Sequence, residues 1–164
     1  MEFKKFMTMA MAAVAIVMGV SSCSSDDDDD KDVAVAAEVA GQYTGQEEIS
    51  VMGEVSSDDT KTYQIVKATD NTVDLTVPES GEMGHMTIPA LTIKSIPLTK
   101  NGKTISGGLP TYAGTVTNAQ GAEKAFTING LTILVNEKTA VVAFSLKYGN
   151  MPMTMETAFT GTKQ

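Results

Sequence analysis

The sequence predicts an all-β protein made of antiparallel strands, and three observations support this class. Apolar and polar residues alternate along most of residues 39–160, which is the pattern of strands that bury one face. Pairs of turn-forming residues separate these segments at short intervals. The same region contains no stretch with the 3.6-residue period and capping residues of a helix. Many short strands without helices are typical of an antiparallel sandwich or barrel.

Two glycines, Gly41 and Gly45, lie on the apolar face of the first predicted strand. Glycine inside a strand often marks a bulge or a sharp bend, so we expect this strand to curve strongly, as barrel strands do. Two shorter strands follow it. The predicted strands of this part are residues 39–51, 63–66 and 73–77, with turns expected at residues 56–60 and 70–71.

The middle of the chain is less regular, because two prolines interrupt a strand-like stretch. Pro89 and Pro97 cannot donate to a backbone ladder and therefore indicate an edge, a bulge or a break. Residues 107–110 are the least strand-like of the region, so if the barrel has a gap or mouth, it is expected there. The other predicted features are a loop at residues 78–84, strand-like residues at 86–98 and a hairpin turn at residues 101–102.

The last third of the chain alternates most clearly and ends in a methionine-rich segment. Residues 129–130 predict either a two-residue turn or a bulge in one long strand. A tight turn at residues 149–150 would place Met151, Met153 and Met155 on one face of the last strand, about 7 Å apart in succession. The predicted strands are residues 126–128, 131–135, 140–148 and 151–159.

The N-terminus reads as a lipoprotein signal. Residues 1–22 combine early lysines, an apolar run at residues 6–20 and small residues at the end, which are the three parts of a secretory signal peptide. The run is shorter than the roughly 20 residues that a spanning helix requires. The four residues ending at Cys23 resemble the lipobox of bacterial lipoproteins, in which the cysteine is acylated and becomes the first mature residue. We therefore expect a lipid anchor, including palmitate, at Cys23. Two or more acyl chains would hold the protein stably on a membrane.

Residues 23–37 are expected to form a flexible tether that leads into one domain, residues 38–164. Five consecutive aspartates follow the lipidation site, at residues 26–30. Such a run is a solvated, self-repelling spacer. It also resembles the acidic export signal that sends Bacteroidetes lipoproteins to the outer face of the outer membrane. Both interpretations stay open, and the second would place the chain at the cell surface.

The charge balance is acidic and argues against nucleic acid as a partner. The chain has 20 aspartate and glutamate residues against 12 basic residues, all of them lysine, for a net charge of −8. A protein that binds the phosphate backbone needs a basic surface, usually with arginine. No sequence feature calls for a cofactor, and protein partners cannot be named from the sequence.

Residues at both ends of the domain resemble a known barrel family. The segment Gly41 to Gly45 resembles the start of lipocalin and calycin barrels, with Tyr43 in the position of their tryptophan. Residues 149–153 and 159–163 are similar to the closing hairpin of the calycin-like β-barrel domain of Bacteroidetes lipoproteins. The resemblance implies an up-and-down barrel of about eight strands, whose interior is either filled or holds one small ligand. It transfers no catalytic or binding residue.

His85 is the sole histidine, so the chain by itself cannot form a multi-histidine metal site, and any serine–histidine–aspartate triad would have to use it. It lies in a predicted loop without a nucleophile motif, and we expect a surface residue. Carboxylate pairs suited to glycoside hydrolysis meet in space rather than in sequence, and none is marked here. We therefore expect a protein that is not an enzyme.

The methionines allow three interpretations: core filling, an adaptable lining for a small apolar ligand, or capture of Cu(I) by thioethers together with the Met83–Met86 segment around His85. We expect a lipid-anchored envelope protein whose barrel binds a small apolar molecule. The alternatives are a surface module with a filled barrel that binds a protein or glycan, and a Cu(I) binder; no metal ligand is assigned. The candidate ligand-binding residues are Tyr43, Phe144, Met151, Met153 and Met155.

Overall fold

The computed structural model describes residues 34–83 and 86–164. Ten strands and one short helix make up most of these residues, and eight strands close into an antiparallel barrel. The predicted all-β, up-and-down barrel of about eight strands is confirmed. The elements are α1 (Val35–Val39), β1 (Gly41–Val51), β2 (Glu54–Lys67), β3 (Thr72–Val77), β4 (Ser80–Met83), β5 (Met86–Ile88), β6 (Leu91–Asn101), β7 (Thr104–Thr117), β8 (Glu123–Asn136), β9 (Thr139–Tyr148) and β10 (Met155–Lys163).

Neighbours in the barrel are neighbours in sequence, with one insertion. The order is β1-β2-β3-β6-β7-β8-β9-β10, and β10 returns to pair with β1. Strands β4 and β5 form a separate two-stranded hairpin between β3 and β6. Antiparallel neighbours need only short connections. The turns predicted at residues 70–71 and 101–102 lie between adjacent strands, as expected.

The barrel has two different ends. The closed end carries α1, the C-terminal residue and the turns that follow β2, β6 and β8. The open end carries the turns that follow β1, β7 and β9, together with the β4–β5 hairpin. These two names are kept below.

Apolar side chains fill the barrel interior between the two ends. Tyr63, Leu75, Ile128 and Phe159 have almost no accessible surface. A void beside them that could hold a water molecule would give these side chains accessible surface. The rings of Tyr63 and Phe159 stack with centroids 4.0 Å apart and an interplanar angle of 6°. Each such side chain contributes about 1.5–3 kcal/mol through its burial. The interior around these side chains is therefore a packed core and not a preformed container.

Helix α1 covers the closed end. Ala36 and Val39 are fully buried, and the Tyr43 hydroxyl donates a 2.8 Å hydrogen bond to the Val39 carbonyl. The Lys163 ammonium donates to the Glu38 carbonyl at 2.9 Å. Residues 35–37, which the sequence pattern placed at the end of the tether, form part of this helix. A helix of five residues is too short to show a hydrophobic period, and it depends on tertiary packing for its stability.

Two other local predictions are also wrong. The first turn is at Met52 and Gly53, which have positive φ angles of 54° and 84°, and residues 56–60 belong to β2. That part of β2 pairs with β1 but not with β3, and its described side chains are mostly exposed, so it has the polar composition of a turn. The loop predicted at residues 78–84 contains strand β4.

The pair Asn129 and Gly130 forms a bulge in one long strand, which settles the alternative left open by the sequence. The β8–β9 register shifts between Asn129 and Thr132, and Gly130 has a φ of 61°. Phe126 and Ile128 are buried before the bulge, and Leu131 is buried after it. The extra residue thus keeps the apolar side chains inside along the whole strand.

Candidate functional site

The interior at the open end is lined by aromatic and apolar residues. Phe126 on β8 pairs across the sheet with Tyr148 on β9, and both are buried. The Tyr112 ring lies 6.1 Å from the Phe126 ring in a tilted arrangement. Val116 and Met151 are partly buried against the same core. These five residues are called the open-end cluster below.

The Tyr148 hydroxyl is the unusual atom of the open-end cluster. The residue is only 4% exposed, and its hydroxyl has no hydrogen-bond partner among the described residues. Burial raises the pKa of Tyr148, so the hydroxyl keeps its proton and remains a donor. A buried hydroxyl without a partner costs about 1–3 kcal/mol. Native structures rarely keep such a group without a reason, and a ligand or ordered water is one of the common reasons.

The three predicted methionines do not share one strand face. Strand β10 begins only at Met155, so Met151 and Met153 lie in the preceding loop, residues 149–154. Met155 is fully buried, Met151 is partly buried and Met153 is 40% exposed. The prediction of one strand face was wrong because the turn at residues 149–150 is longer than two residues. We call residues 149–154 the methionine loop.

This placement weakens the geometric basis for Cu(I) capture, which needed three thioethers on one side of a strand. Met83 lies on β4, and Met86 on β5 is 38% exposed. Within the described part of the chain, no group of three His, Cys, Asp or Glu side chains could hold a metal ion. Cys23, residues 26–30 and His85 lie outside the described residues.

The other two candidate residues lie away from the methionine loop. Tyr43 is fully buried and donates its hydroxyl to helix α1, so it belongs to the closed end. Burial also raises the pKa of Tyr43. Phe144 is buried in the interior on β9, where its backbone pairs with Thr157 of β10. The structure therefore brings Met151 and Met155 to the open end and leaves Tyr43 at the other end.

The barrel wall contains a buried carboxylate that the sequence pattern did not lead us to predict. Glu47 is 1% exposed, and its Oε2 accepts a 2.5 Å hydrogen bond from the Tyr63 hydroxyl. The signal was present, because Glu47 occupies an apolar-face position of β1 between Gly45 and Ile49. A single charged residue on a core-facing position is a candidate functional or paired group.

The electrostatics of Glu47 follow from its surroundings. Desolvation by burial raises the pKa of Glu47, the hydrogen bond from Tyr63 and the charge of Lys61 lower it, and the charge of Asp59 raises it again, with a net increase. Burial and the Glu47 carboxylate together raise the pKa of Tyr63, so the phenol remains the proton donor of this pair. The pair is therefore a neutral or singly charged hydrogen-bonded unit, and its hydroxyl is fully used, unlike that of Tyr148.

A depression of about 310 Å³ opens at the closed end. Its wall contains the ion pair between Lys100 and Glu38, at 2.7 Å, and the ion pair between Lys103 and Glu137, at 3.4 Å. Surface ion pairs of this kind contribute little to stability, typically under about 1 kcal/mol. Because both pairs are internally neutralised, the depression offers a ligand no uncompensated charge from these four residues.

A family model for the calycin-like beta-barrel domain matches residues 39–162, and the chain belongs to that family. Among solved structures, the fold is similar to a crystal structure from Bacteroides fragilis named a putative outer membrane protein, with a TM-score of 0.63 and 21% sequence identity. The match covers 80% of this chain and 53% of that chain, so this chain spans about half the length of its structural neighbour. No curated protein matches the sequence. Among the described residues, no helix is long and apolar enough to cross a membrane.

Proposed function

We propose that the chain is a lipid-anchored protein of the bacterial outer membrane whose barrel binds a small, mainly apolar molecule at its open end. One observation carries the binding proposal: the buried Tyr148 hydroxyl has no partner among the described residues and lies in a mainly apolar and aromatic cluster. Ligand sites are mostly apolar with a few placed polar groups. The expected ligand therefore has an apolar body and one hydrogen-bond acceptor.

Entry of such a ligand requires the methionine loop to move, because the interior is packed. Met151 is partly buried against the core and Met153 is largely exposed, so the loop covers the open end without being part of the sheet. Methionine side chains are flexible and polarisable and repack easily around different apolar shapes. The loop thus supplies an adaptable cover, and Tyr148 supplies the single directional contact.

The binding proposal is tested by titrating the full-length chain in detergent with a fluorescent fatty acid. We expect saturable binding that unlabelled apolar molecules displace. Tyr148→Phe should weaken binding by about threefold to tenfold, which is the loss of one hydrogen bond. Tyr43→Phe, which removes a buried hydroxyl at the closed end, is the matched control and should bind the probe as well as the wild type.

The loop is tested by changing Met151 and Met153 together to leucine. Stability should hold, since such swaps usually cost less than about 1.5 kcal/mol. The range of acyl-chain lengths that bind should narrow, because leucine repacks less freely. If the folded wild type shows no saturable binding of any apolar probe, the proposal fails and a surface module for a protein or glycan takes its place.

The anchor and the location are tested separately. Replacing Cys23 by alanine should abolish acylation and release the chain from membranes. Replacing the aspartates at residues 26–30 by alanine should lower protease access on intact cells if they form an export signal, and leave access unchanged if they form a spacer. Membrane retention of the Cys23→Ala variant at the wild-type level would contradict the lipid anchor. The name of the Bacteroides fragilis neighbour supports an outer-membrane location.

A further inference from the structure

Strands β6 and β7 separate halfway along the barrel. Their backbone pairing runs from Asn101 with Thr104 to Leu98 with Gly107 and ends there. Strand β7 stays paired with β8 as far as Thr117, while β6 turns to pair with β3. The edge of β7 along residues 109–117 therefore pairs with none of the described strands. We call these residues the free edge.

The separation has identifiable causes in the sequence. Ser95 on β6 has a φ of 57°, and its N–H donates a 2.9 Å hydrogen bond to Asp74 Oδ1 on β3. The β3–β6 register shifts at this position, so the bulge bends β6 away from β7. Pro97 follows and cannot donate to a ladder. At the branch point a Cβ on Gly107 would lie 2.6 Å from the Pro97 carbonyl oxygen, so glycine is required there.

The inner face of the free edge is only half covered. Leu109, Tyr112 and Val116 are partly buried. The inward residues of the facing part of β8 (Phe126, Ile128 and Leu131) are buried. The outward residues of the same segment are exposed and uncharged: Pro110, Thr111, Ala113, Thr115 and Thr117. An added strand in the gap would pair with the free backbone groups, apart from the missing N–H of Pro110, and would also cover the three apolar side chains.

The charges around the free edge are positive, in contrast to the rest of the chain. Lys94 on β6 and Lys124 on β8 are exposed on the two strands next to β7, and Lys147 is exposed on β9, one strand further away. None of the three forms an ion pair with described residues. Glu123 is the one acidic side chain that β6, β7, β8 and β9 contribute to this half of the barrel. The whole chain has a net charge of −8. A second copy would bring the same lysines against these ones, whereas an acidic partner would complement them.

We propose that the free edge binds an extended segment of a partner protein by strand addition, and that this segment has alternating apolar residues and acidic flanks. The backbone edge requires an extended polypeptide, which excludes a glycan or a helix as its occupant. The half-covered face of Leu109, Tyr112 and Val116 selects apolar residues at alternate positions. The unpaired lysines select the acidic flanks. The site shares Tyr112 and Val116 with the open-end cluster, but strand addition depends on the backbone edge and the lysines, whereas the small-molecule proposal depends on the Tyr148 hydroxyl.

The test uses the full-length chain in detergent and a labelled synthetic peptide. The peptide has about nine residues, the length of the free edge, with alternating valine and threonine and aspartates at both ends. One control peptide carries a central proline, which blocks strand pairing, and another carries lysines in place of the aspartates. Saturable binding is expected for the aspartate-flanked peptide, about tenfold weaker binding for the lysine-flanked peptide at low salt, and none for the proline peptide.

Variants of the protein locate the site. Replacing both Lys94 and Lys124 by glutamate should make the protein bind the lysine-flanked peptide more tightly than the aspartate-flanked peptide. Lys138→Glu, an exposed change at the closed end, is the matched control and should change nothing. Residue-resolved amide exchange should show new protection within residues 109–117 on peptide binding. Tyr148→Phe should leave peptide binding unchanged, which separates this site from the ligand site.

Three results would overturn the proposal. The first is the absence of saturable binding of the aspartate-flanked peptide to folded protein. The second is equal binding of the proline peptide, because strand pairing cannot then be the mode of contact. The third is protection of residues 109–117 that appears with rising protein concentration alone, because the occupant would then be a second copy of this chain.

Discussion

The two ends of the barrel differ in whether a buried tyrosine hydroxyl has a hydrogen-bond partner among the described residues. At the closed end the Tyr43 hydroxyl donates to the Val39 carbonyl, and the helix that carries this carbonyl covers the end. At the open end the buried Tyr148 hydroxyl has no partner in the described structure, and a loop rather than a helix lies next to it. The closed end is thus organised for stability. The open end leaves the Tyr148 hydroxyl without a hydrogen bond from the described residues.

Removing a side chain from the packed interior between the ends should give the largest change in the free energy of unfolding. Phe159→Ala should lower the free energy of unfolding by about 3–5 kcal/mol, because it removes a buried ring and its stacking on Tyr63. Urea denaturation followed by circular dichroism measures this change. Met153→Ala in the exposed methionine loop is the control and should cost under about 0.5 kcal/mol. Equal losses in the two variants would mean that the interior is not packed as described.

Glu47 should give an intermediate effect with a defined pH dependence. Its folded-state pKa is raised from 4.5, so the folded chain holds this proton more tightly than the unfolded chain. Stability attributable to Glu47 is therefore fully present below about pH 4.5 and is lost as the pH rises through the folded-state pKa. Glu47→Gln should remove this loss and raise stability above that window. Unfolding measured across pH checks it, and identical pH profiles would contradict the burial of the carboxylate.

The Glu47–Tyr63 hydrogen bond can also be removed from the Tyr63 side, which leaves the Glu47 carboxyl in place. Tyr63→Phe removes the donor that lowers the pKa of Glu47, so the pKa should rise further. The cost in stability should be roughly 1–3 kcal/mol at a pH where Glu47 is ionised, because a buried acceptor loses its partner. Below about pH 4.5 the cost should shrink, since the carboxyl is then neutral.

Replacing Tyr43 or Tyr148 by phenylalanine should give the smallest changes in stability, and the two changes should differ. Tyr43→Phe should cost about 1 kcal/mol, because the Val39 carbonyl loses its partner. Tyr148→Phe should be neutral or stabilising, since it removes a buried hydroxyl without a partner among the described residues. Paired thermal or urea denaturation of the two variants measures the difference. A larger loss for Tyr148→Phe would show that this hydroxyl has a structural partner.

Strand-rich segments could be predicted from sequence because one face of each is buried, which imposes a period of two on the residues. Strands β9 and β3 were located almost to the residue. The failures lie where burial does not impose that period. Helix α1 is too short, and the outer part of β2 is exposed on both faces. Residues 107–110, the least strand-like by sequence, belong to β7, and the β6–β7 pairing ends there, at the place where a gap was expected if one existed.

The candidate site was harder to predict than the fold. Met151 and Met153 continue the period of β10 in sequence, and only the pairing shows that the strand begins at Met155. The lone hydroxyl of Tyr148 cannot be recognised from sequence, because its lack of a partner depends on every neighbouring side chain. Glu47 could have been recognised, since a charge on an apolar face demands a partner.

The central claim is that the Tyr148 hydroxyl anchors a ligand at the open end. It is tested most directly by comparing two probes of equal apolar size, one with a carbonyl acceptor and one without, on the wild type and on Tyr148→Phe. The account predicts that the wild type binds the acceptor probe about threefold to tenfold more tightly and that Tyr148→Phe binds both equally. An equal preference in both proteins, or binding of neither probe by the folded wild type, would contradict the account.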